Sequence, residues 1–295
     1  MLILFGLAAA FDVLPVGRGF AATSTSFAYL LIIGGLLSST FHLGHPERSW
    51  RALTQWRSSW LSREGVIAIF AFAPTGMFAF GWVILADTDG VFALAGLIGA
   101  AACGLTVYTT SMIYGSLRTV RAWADPWVTP AYLVLSLASG ALFANALTHA
   151  FGVSLKFDGI VVAALIGAAI IKARYWRSID GRGSDSTPES ATGLGHLGGV
   201  RLRDPPHTGT NYLMNEMGYR VARKHALNLR RIAFAMGIAI PLGLTGLTLV
   251  SVGTLPVIAA ILASLCAAVG LLIERWLFFA EAKHVVTLYY GARSA

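Results

Sequence analysis

An imidazole and a carboxylate flank a short polar loop of the chain, and together they could move protons. His42 directly follows one apolar run, and Glu64 directly precedes the next. If both runs cross a membrane they are antiparallel, which places the two side chains at the same membrane face. A histidine that titrates near neutral pH, beside a partly desolvated carboxylate, can bond a carbonyl oxygen and transfer protons. His42 and Glu64 are therefore candidates for a pocket that binds a quinone headgroup.

The same two residues also fit a purely structural role. His42 could stabilise the C-terminal end of one helix dipole and Glu64 the N-terminal end of the next, with Arg63 as a local ion-pair partner. Spacing alone favours this interpretation. Tyr114 stands at the corresponding end of a later apolar run, where it is either an interfacial tyrosine or a third pocket residue.

The loop between His42 and Glu64 carries more arginine and tryptophan than a simple connection needs. This mixture suits lipid headgroups and also a docked protein partner. The planar guanidinium group pairs well with the carboxylates of such a partner. We predict that the loop docks a partner through Arg48, Arg51, Arg57, Trp60 and Arg63.

The composition requires a membrane around these residues. Hydrophobic residues make up 56% of the chain, charged residues make up 12%, and the mean hydropathy is +0.68. A soluble fold could not cover that much apolar surface. A span needs about 20 apolar residues to cross roughly 30 Å of hydrocarbon. Seven runs approach this length, namely residues 27–41, 65–86, 91–112, 130–151, 157–171, 232–252 and 255–273.

A shorter apolar run, residues 2–11, corresponds to about 15 Å of helix at about 1.5 Å per residue, so it cannot cross alone. We expect an upstream in-frame start to add about ten to fifteen residues to it. The predicted fold is an all-α polytopic membrane helix bundle of seven full spans plus an incomplete first span. It forms a single domain over residues 1–295, with a loop at about 173–231.

The distribution of basic residues predicts the orientation. Arginines crowd the loop from His42 to Glu64, Arg118 and Arg121 lie in a second loop on that side, and the long loop is also basic. The loops on the other side carry only Arg18 and Lys156. Because basic loops stay in the cytoplasm, we predict that the His42 to Glu64 loop is cytoplasmic. The net charge of +8 reflects this topology and not nucleic-acid binding.

Other motifs carry no chemistry in this context. Gly193, Gly195 and Gly198 match G-x-G-x-x-G, but a polar linker precedes them where a dinucleotide site would have a strand. The histidines do not pair at matching depths of the spans, so we predict no haem. Cys103 and Cys266 stand alone in apolar runs, so we predict no metal site.

A membrane transporter is the alternative from a different functional class. It would need broken helices that meet at mid-membrane, with buried charges there. The predicted spans carry almost no ionisable residues away from their ends, where Glu274 and Arg275 would form an ion pair. Pro74 and Pro241 are the only hints of kinked helices.

Around His42 the chain resembles the membrane anchor subunits of the dimethyl sulfoxide reductase family. The matching pattern is HLG-x-P-x-R, here His42, Leu43, Gly44, Pro46 and Arg48 with Ser49 after them, followed by SSWLSRE at residues 58–64. A narrower likeness is to the anchors of cytoplasm-facing, quinone-linked sulfite dehydrogenases. It lies in ATGLG at 191–195, PPHTGTNYL at 205–213 and EMGYRVARKHA at 216–226.

This resemblance implies an eight-helix anchor in the bacterial inner (plasma) membrane. Such an anchor holds a molybdopterin catalytic subunit and a four-cluster iron–sulfur subunit, and exchanges electrons with ubiquinone or menaquinone. It also implies that His42 and Glu64 belong to the quinone site, and that haem and metals are absent from this chain. Sulfite oxidation is the expected reaction of the complex. The alternatives are the anchor of a dimethyl sulfoxide (S- or N-oxide) reductase in anaerobic respiration, and a scaffold with quinone bound elsewhere.

Overall fold

The computed structural model describes residues 1–41, 43–181, 186–204, 206 and 219–293, and every regular element within them is helical. The α-helices of these ranges are α1 (Leu2–Ala10), α2 (Arg18–Phe41), α3 (Trp60–Phe80), α4 (Gly90–Gly115), α5 (Val128–Ala150), α6 (Asp158–Gly181), α7 (Pro188–Thr192), α8 (Arg220–Lys224), α9 (Ala226–Phe234), α10 (Ile240–Val250) and α11 (Leu255–Ala280). The π turn Gly81–Leu85 extends α3, and the π turn Ala235–Ala239 joins α9 to α10. The segment Pro46–Gln55 is a 3-10 helix.

Seven helices of the described ranges are long and apolar enough to cross a membrane, which confirms the predicted all-α bundle of seven spans. They are α2, α3 with its π turn, α4, α5, α6, the continuous rod of α9 and α10, and α11. Successive spans run in opposite directions, so α2 ends where α3 begins. We call this end of the bundle, which also holds the ends of α4, α6 and α11, the arginine-rich end.

The spans extend beyond the predicted apolar runs, most of all α2 and α6. The helix α2 begins at Arg18, and α6 continues to Gly181, ten residues past the predicted limit at residue 171. Polar residues at the ends of a span stay helical because the helix satisfies their backbone groups near the hydrocarbon. The connection after α6 is therefore shorter than predicted, since it starts after Gly181 and ends before Ala226. Whether residues 1–295 form one domain stays a prediction.

The short helix α1 is packed inside the bundle. A Cβ atom on Gly6 would lie only 2.3 Å from the carbonyl oxygen of Gly96 on α4, so only glycine permits this approach. The fully buried ring of Phe5 meets the rings of Phe20 and Trp82, with centroids 5.8 and 5.3 Å away. With nine residues, α1 fills the core near the end opposite the arginine-rich end without spanning the membrane.

A buried polar network joins three helices at that opposite end. The carboxylate of Asp158, the first residue of α6, accepts hydrogen bonds from Asn145 Nδ2 at 2.7 Å, from His149 Nε2 at 3.1 Å and from the Thr248 hydroxyl. Asn145 also accepts the backbone N–H of Phe157 at 2.9 Å. The network fixes the ends of α5, α6 and α10 to one another, because each buried polar atom has its partner on a different helix.

The predicted orientation can be tested with two cysteines at opposite ends of the bundle. We expect a cysteine at Ser58, exposed in the loop before α3, to resist a membrane-impermeant thiol reagent in intact cells. A cysteine at Asp89, exposed at the opposite end, should react. The unmodified chain, with Cys103 and Cys266 in its spans, gives the background. Ready labelling at position 58 with protection at position 89 would invert the topology.

Candidate functional site

Glu64 is the fifth residue of α3, at the arginine-rich end. Its carboxylate accepts a 2.6 Å hydrogen bond from the hydroxyl of Thr110 on α4. Ser59 caps this helix, because its hydroxyl accepts the N–H of Ser62 at 3.4 Å. Glu64 is half-buried, and none of the described basic residues forms an ion pair with it. The helix start therefore has its own cap, and the carboxylate of Glu64 faces a neighbouring helix.

Arg63 does not pair with Glu64, in contrast to the local ion pair that the sequence suggested. Its guanidinium donates to the backbone carbonyl oxygens of Trp56 at 2.9 Å and Arg57 at 2.7 Å, and it lies 4.3 Å from the ring centroid of Trp60. These contacts hold the end of the loop against the start of α3. The predicted role of Arg63 in docking a partner stays a prediction.

Tyr114 lies one helical turn beyond Thr110, so both side chains share a face of α4. Because Thr110 bonds Glu64, Tyr114 lies about one helical turn, roughly 6 Å along α4, from the residue that holds the carboxylate. The Tyr114 ring packs against Trp123 and Tyr132, with centroids 5.2 and 5.9 Å away. The structure therefore brings two of the three predicted pocket residues together. The third, His42, lies outside the described residues, and its place in the pocket stays a prediction.

The membrane side of this site is open in the described part of the chain. Beyond Tyr29, whose hydroxyl bonds Thr75 on α3 at 3.0 Å, the rest of α2 is largely exposed. Leu30 and Phe41, near the two ends of this stretch, have 70% and 71% of their surface exposed. Ile69 on the neighbouring part of α3 is exposed as well. An apolar molecule in the bilayer can therefore approach the beginning of α3 from the side.

The predicted docking loop presents its arginines to solvent. Arg48, Arg51 and Arg57 are all exposed, and no residue of the Pro46–Gln55 helix is buried. Arg57 lies 5.1 Å from the ring centroid of the exposed Trp56. Exposed arginines beside exposed tryptophans are typical of protein interfaces. Their docking role stays a prediction.

A buried charge cluster inside the bundle contains the Glu274–Arg275 ion pair that the sequence predicted, together with a lysine that the sequence did not assign to it. The ammonium group of Lys172 on α6 lies 2.5 Å from Glu274 Oε1 on α11, and Arg275 Nε lies 2.6 Å from Glu274 Oε2. Lys172 is 2% exposed and Glu274 is 5% exposed. The predicted apolar run ended at residue 171, which put Lys172 outside the span. That limit was wrong, because α6 runs nine residues past Lys172 to Gly181.

Aromatic rings complete the surroundings of this cluster. The Lys172 ammonium lies 4.2 Å from the ring centroid of Tyr175 and 4.8 Å from that of Trp176, and the Arg275 guanidinium lies 4.3 Å from that of Tyr132. Cation–π contacts stabilise charges that have left water. The aromatic pair Tyr175 and Trp176, three and four residues after Lys172, could have indicated from the sequence that this face of α6 stays buried beyond the lysine.

A small cavity borders the charge cluster between α5, α6, the π turn Ala235–Ala239 and α11. Its volume is about 20 Å³, enough for about one water molecule. Lys172, Glu274 and Ser139 are polar residues in its otherwise apolar lining. The π turn approaches α11 closely at this level, since a Cβ atom on Gly270 would clash with the backbone of Gly237.

Within the described ranges no group of three or more His, Cys, Asp and Glu side chains is arranged to hold a metal ion. His149, the histidine nearest to the interior of a described span, bonds Asp158. The carboxylates and phenols at the arginine-rich end can form hydrogen bonds and transfer protons.

Comparison with known proteins identifies the family. The sequence model described as DMSO reductase anchor subunit (DmsC) matches residues 2–182. The chain belongs to this family. Two relatives are a sulfite dehydrogenase subunit of Allochromatium vinosum, 34% identical over 288 residues, and the anaerobic dimethyl sulfoxide reductase chain YnfH of Escherichia coli K12, 30% identical over 146 residues. The first alignment covers 92% of this chain and 86% of the relative, and the second covers 48% and 51%. No solved structure matches.

These comparisons confirm the resemblance that the HLG pattern predicted, and the protein is a multi-pass membrane anchor of this family. Buried charges and two π turns are features that the transporter alternative would also use. The family match favours the anchor over the transporter. The charge cluster therefore needs an explanation within an anchor.

The charge cluster leads to a prediction about stability. We expect Glu274→Gln to lower the free energy of unfolding by about 3–5 kcal/mol, because it leaves Lys172 and Arg275 buried without their counter-ion. Lys172→Met should cost less, since Glu274 keeps Arg275. Unfolding titrations in mixed detergent micelles measure both, with the exposed Glu47→Gln as control. Equal effects of Glu274→Gln and Glu47→Gln would contradict a structural role for the cluster.

Proposed function

We propose that this chain is the membrane anchor and quinone-site subunit of a molybdopterin oxidoreductase. It passes electrons between an iron–sulfur subunit and the quinone pool. The observation that carries the proposal is the carboxylate of Glu64, held at the membrane boundary by Thr110, beside Tyr114 and next to a laterally open face. Membership of the DMSO reductase anchor family supports it.

The residues at the site fit a quinone. A quinone supplies a flat apolar ring with two carbonyl oxygens that accept protons as electrons arrive. The aromatic wall around Tyr114 suits such a ring, and the phenol of Tyr114 can donate a hydrogen bond to a carbonyl oxygen. Glu64 holds or releases a proton, and Thr110 fixes its orientation. His42, the third residue of the proposed site, supplies the second proton-transfer group.

The partners of the chain follow from its surface and its family. We propose that the docking face consists of the predicted residues with the exposed Trp56 beside them, and this cationic, aromatic face suits an acidic surface on the iron–sulfur subunit. The predicted residues are Arg48, Arg51, Arg57, Trp60 and Arg63. Molybdopterin and iron–sulfur clusters would belong to partner subunits. Docking at the loop next to Glu64 would bring the last cluster close to the quinone, so that electrons and protons meet at the same end of the bundle.

Sulfite is the proposed substrate of the complex. The relative named as a sulfite dehydrogenase subunit aligns over 92% of this chain, whereas the one named as a dimethyl sulfoxide reductase chain aligns over 48%. The basic loops support the same choice, because the positive-inside rule favours a docking face in the cytoplasm. The PPHTGTNYL pattern and most of the EMGYRVARKHA pattern lie outside the described residues, so they contribute to this choice only as sequence.

The quinone site predicts a selective loss of quinone-linked turnover. We expect His42→Ala and Glu64→Gln each to lower it by about 10²- to 10⁴-fold, the contribution of a positioned proton-transfer group. Turnover with artificial dyes should persist, because the metal centres lie in other subunits. His45→Ala is the matched control, since His45 is an exposed histidine paired with Glu47 in the same loop. Unchanged quinone-linked turnover in both site variants would contradict the quinone site and would indicate that the chain is a scaffold with quinone bound elsewhere.

The substrate is tested with membranes that contain the assembled complex. We expect the addition of sulfite to reduce the quinone pool in these membranes. Membranes that lack the anchor give the background rate. Membranes that ignore sulfite, yet oxidise quinol when dimethyl sulfoxide is added, would assign the chain to a sulfoxide reductase and contradict sulfite oxidation.

A further inference from the structure

Two arginines near the end of α6 lie on the outer side of the bundle. Arg174 and Arg177 are three residues apart, so they share one face of the helix, and both are exposed. Ile166 and Ile170 precede them at helical spacing and are exposed as well. In the part of the chain that the structure describes, neither arginine has an acidic ion-pair partner. The face that α6 turns to the bilayer is therefore apolar and ends in two cations.

The length of α6 places these cations near the lipid headgroups. Arg174 and Arg177 come 16 and 19 residues after Asp158, the first residue of the helix. At about 1.5 Å per residue they lie about 24 and 28 Å along its axis. The hydrocarbon core is roughly 30 Å thick, and long basic side chains extend toward its boundary. A helix that enters the hydrocarbon near Asp158 therefore presents both guanidinium groups at the level of lipid phosphates.

The ring of Trp127, which directly precedes α5, holds the Arg174 side chain in place. The guanidinium carbon of Arg174 lies 5.2 Å from the Trp127 ring centroid. This cation–π contact restricts a long, mobile side chain and does not neutralise its charge. A guanidinium that is stacked on a ring still presents its N–H groups at its edge, where they can bind two oxygen atoms of one phosphate. Trp127 thus prepares Arg174 to bind a phosphate group.

A buried carboxylate fixes Trp127 relative to α6. Asp125 accepts the backbone N–H of Trp127 at 2.9 Å and the hydroxyl of Ser178, on α6, at 2.6 Å. The segment that carries Trp127 is therefore tied to the helix that carries Arg174. Groups that are held in place before a ligand arrives lose less entropy on binding. The arrangement of ring and guanidinium is part of the fold and does not need a ligand to form it.

An apolar seam between α5 and α6 continues from these groups toward the middle of the membrane. The two helices pack closely there, since a Cβ atom on Gly167 would lie 3.3 Å from Val134 Cγ2. Leu133 and Leu137 of α5 are exposed on the outer side of this pair, as are Ile166 and Ile170 of α6. Exposed apolar side chains on both edges of a helix pair suit acyl chains that lie along the seam.

We propose that Trp127, Arg174 and Arg177, together with the seam between α5 and α6, bind one anionic phospholipid. The lipid belongs to the leaflet at the arginine-rich end. Its phosphate accepts hydrogen bonds from Arg174 and is attracted by Arg177, and its acyl chains lie along the seam. Two arginines without a described acidic partner favour an anionic headgroup over a zwitterionic one. The apolar seam favours a lipid over a soluble anion or an acidic protein surface.

The test is native mass spectrometry of the assembled complex, titrated with phosphatidylglycerol or with phosphatidylcholine of the same acyl chains. We expect the wild-type complex to bind phosphatidylglycerol more tightly. Arg174→Gln and Arg177→Gln should each weaken this binding by about fivefold, the contribution of one arginine near an anionic lipid, and should leave phosphatidylcholine binding unchanged. Arg174→Lys should lose part of the affinity, because an ammonium group keeps the charge without the planar fork.

The matched control is Arg118→Gln, which removes an exposed arginine from the connection between α4 and α5 at the same end of the bundle. Equal affinity of the wild-type complex for the two lipids would overturn the inference. Equal losses of affinity in Arg118→Gln and Arg174→Gln would also overturn it, because a diffuse basic surface would explain both. Inorganic phosphate in excess should not displace the lipid, and displacement would assign a soluble-anion site instead. None of these outcomes depends on the proposed quinone site, which Glu64→Gln tests separately.

Discussion

A charge in the hydrocarbon interior must find its counter-charge there, and the packing of this bundle depends on how that constraint is met. Lys172 lies about 21 Å along α6 from Asp158, at about 1.5 Å per residue, and nine residues before the helix ends at Gly181. Its counter-ion, Glu274, belongs to α11, so the pair fixes the rotation of two helices relative to each other. At the other end, Asp158 fixes α6 against α5 and α10 through Asn145 and Thr248. The helix α6 is thus held by polar contacts at two depths, and apolar packing fills the space between them.

The same constraint shapes the functional end of the molecule. Glu64 lies near the beginning of α3, where one threonine hydroxyl holds its carboxylate. A carboxylate in this position can take up a proton without breaking an ion pair with any described basic residue, whereas Glu274 is held by two cations. Two glutamates near the same membrane face are therefore suited to different tasks. Glu64 can exchange protons with a ligand, and Glu274 joins α6 to α11 through its ion pair with Lys172.

The spans, and the position of Glu64 and Tyr114 at the same membrane face, could be predicted from the sequence. Apolar runs and the alternating direction of the spans determine which residues share a membrane face. Sequence reasoning missed Lys172 because a lysine after an apolar run also marks the end of a span, and only tertiary packing shows that α6 continues. It missed Thr110 because a threonine inside an apolar helix carries no periodic signal. The network around Asp158 joins residues from three helices, and no single segment of sequence reveals such a contact. The place of His42 is still predicted from sequence alone.

The central claim is that quinone binds at the arginine-rich end between the beginning of α3 and the end of α4. Photo-labelling with an azido-quinone, followed by peptide mass spectrometry of the assembled complex, tests it most directly. We expect label on peptides that contain Glu64 or the stretch from Thr110 to Tyr114, and loss of that label when excess unlabelled quinone competes. Specific label confined to the opposite end, near His149 and Asp158, would contradict the claim.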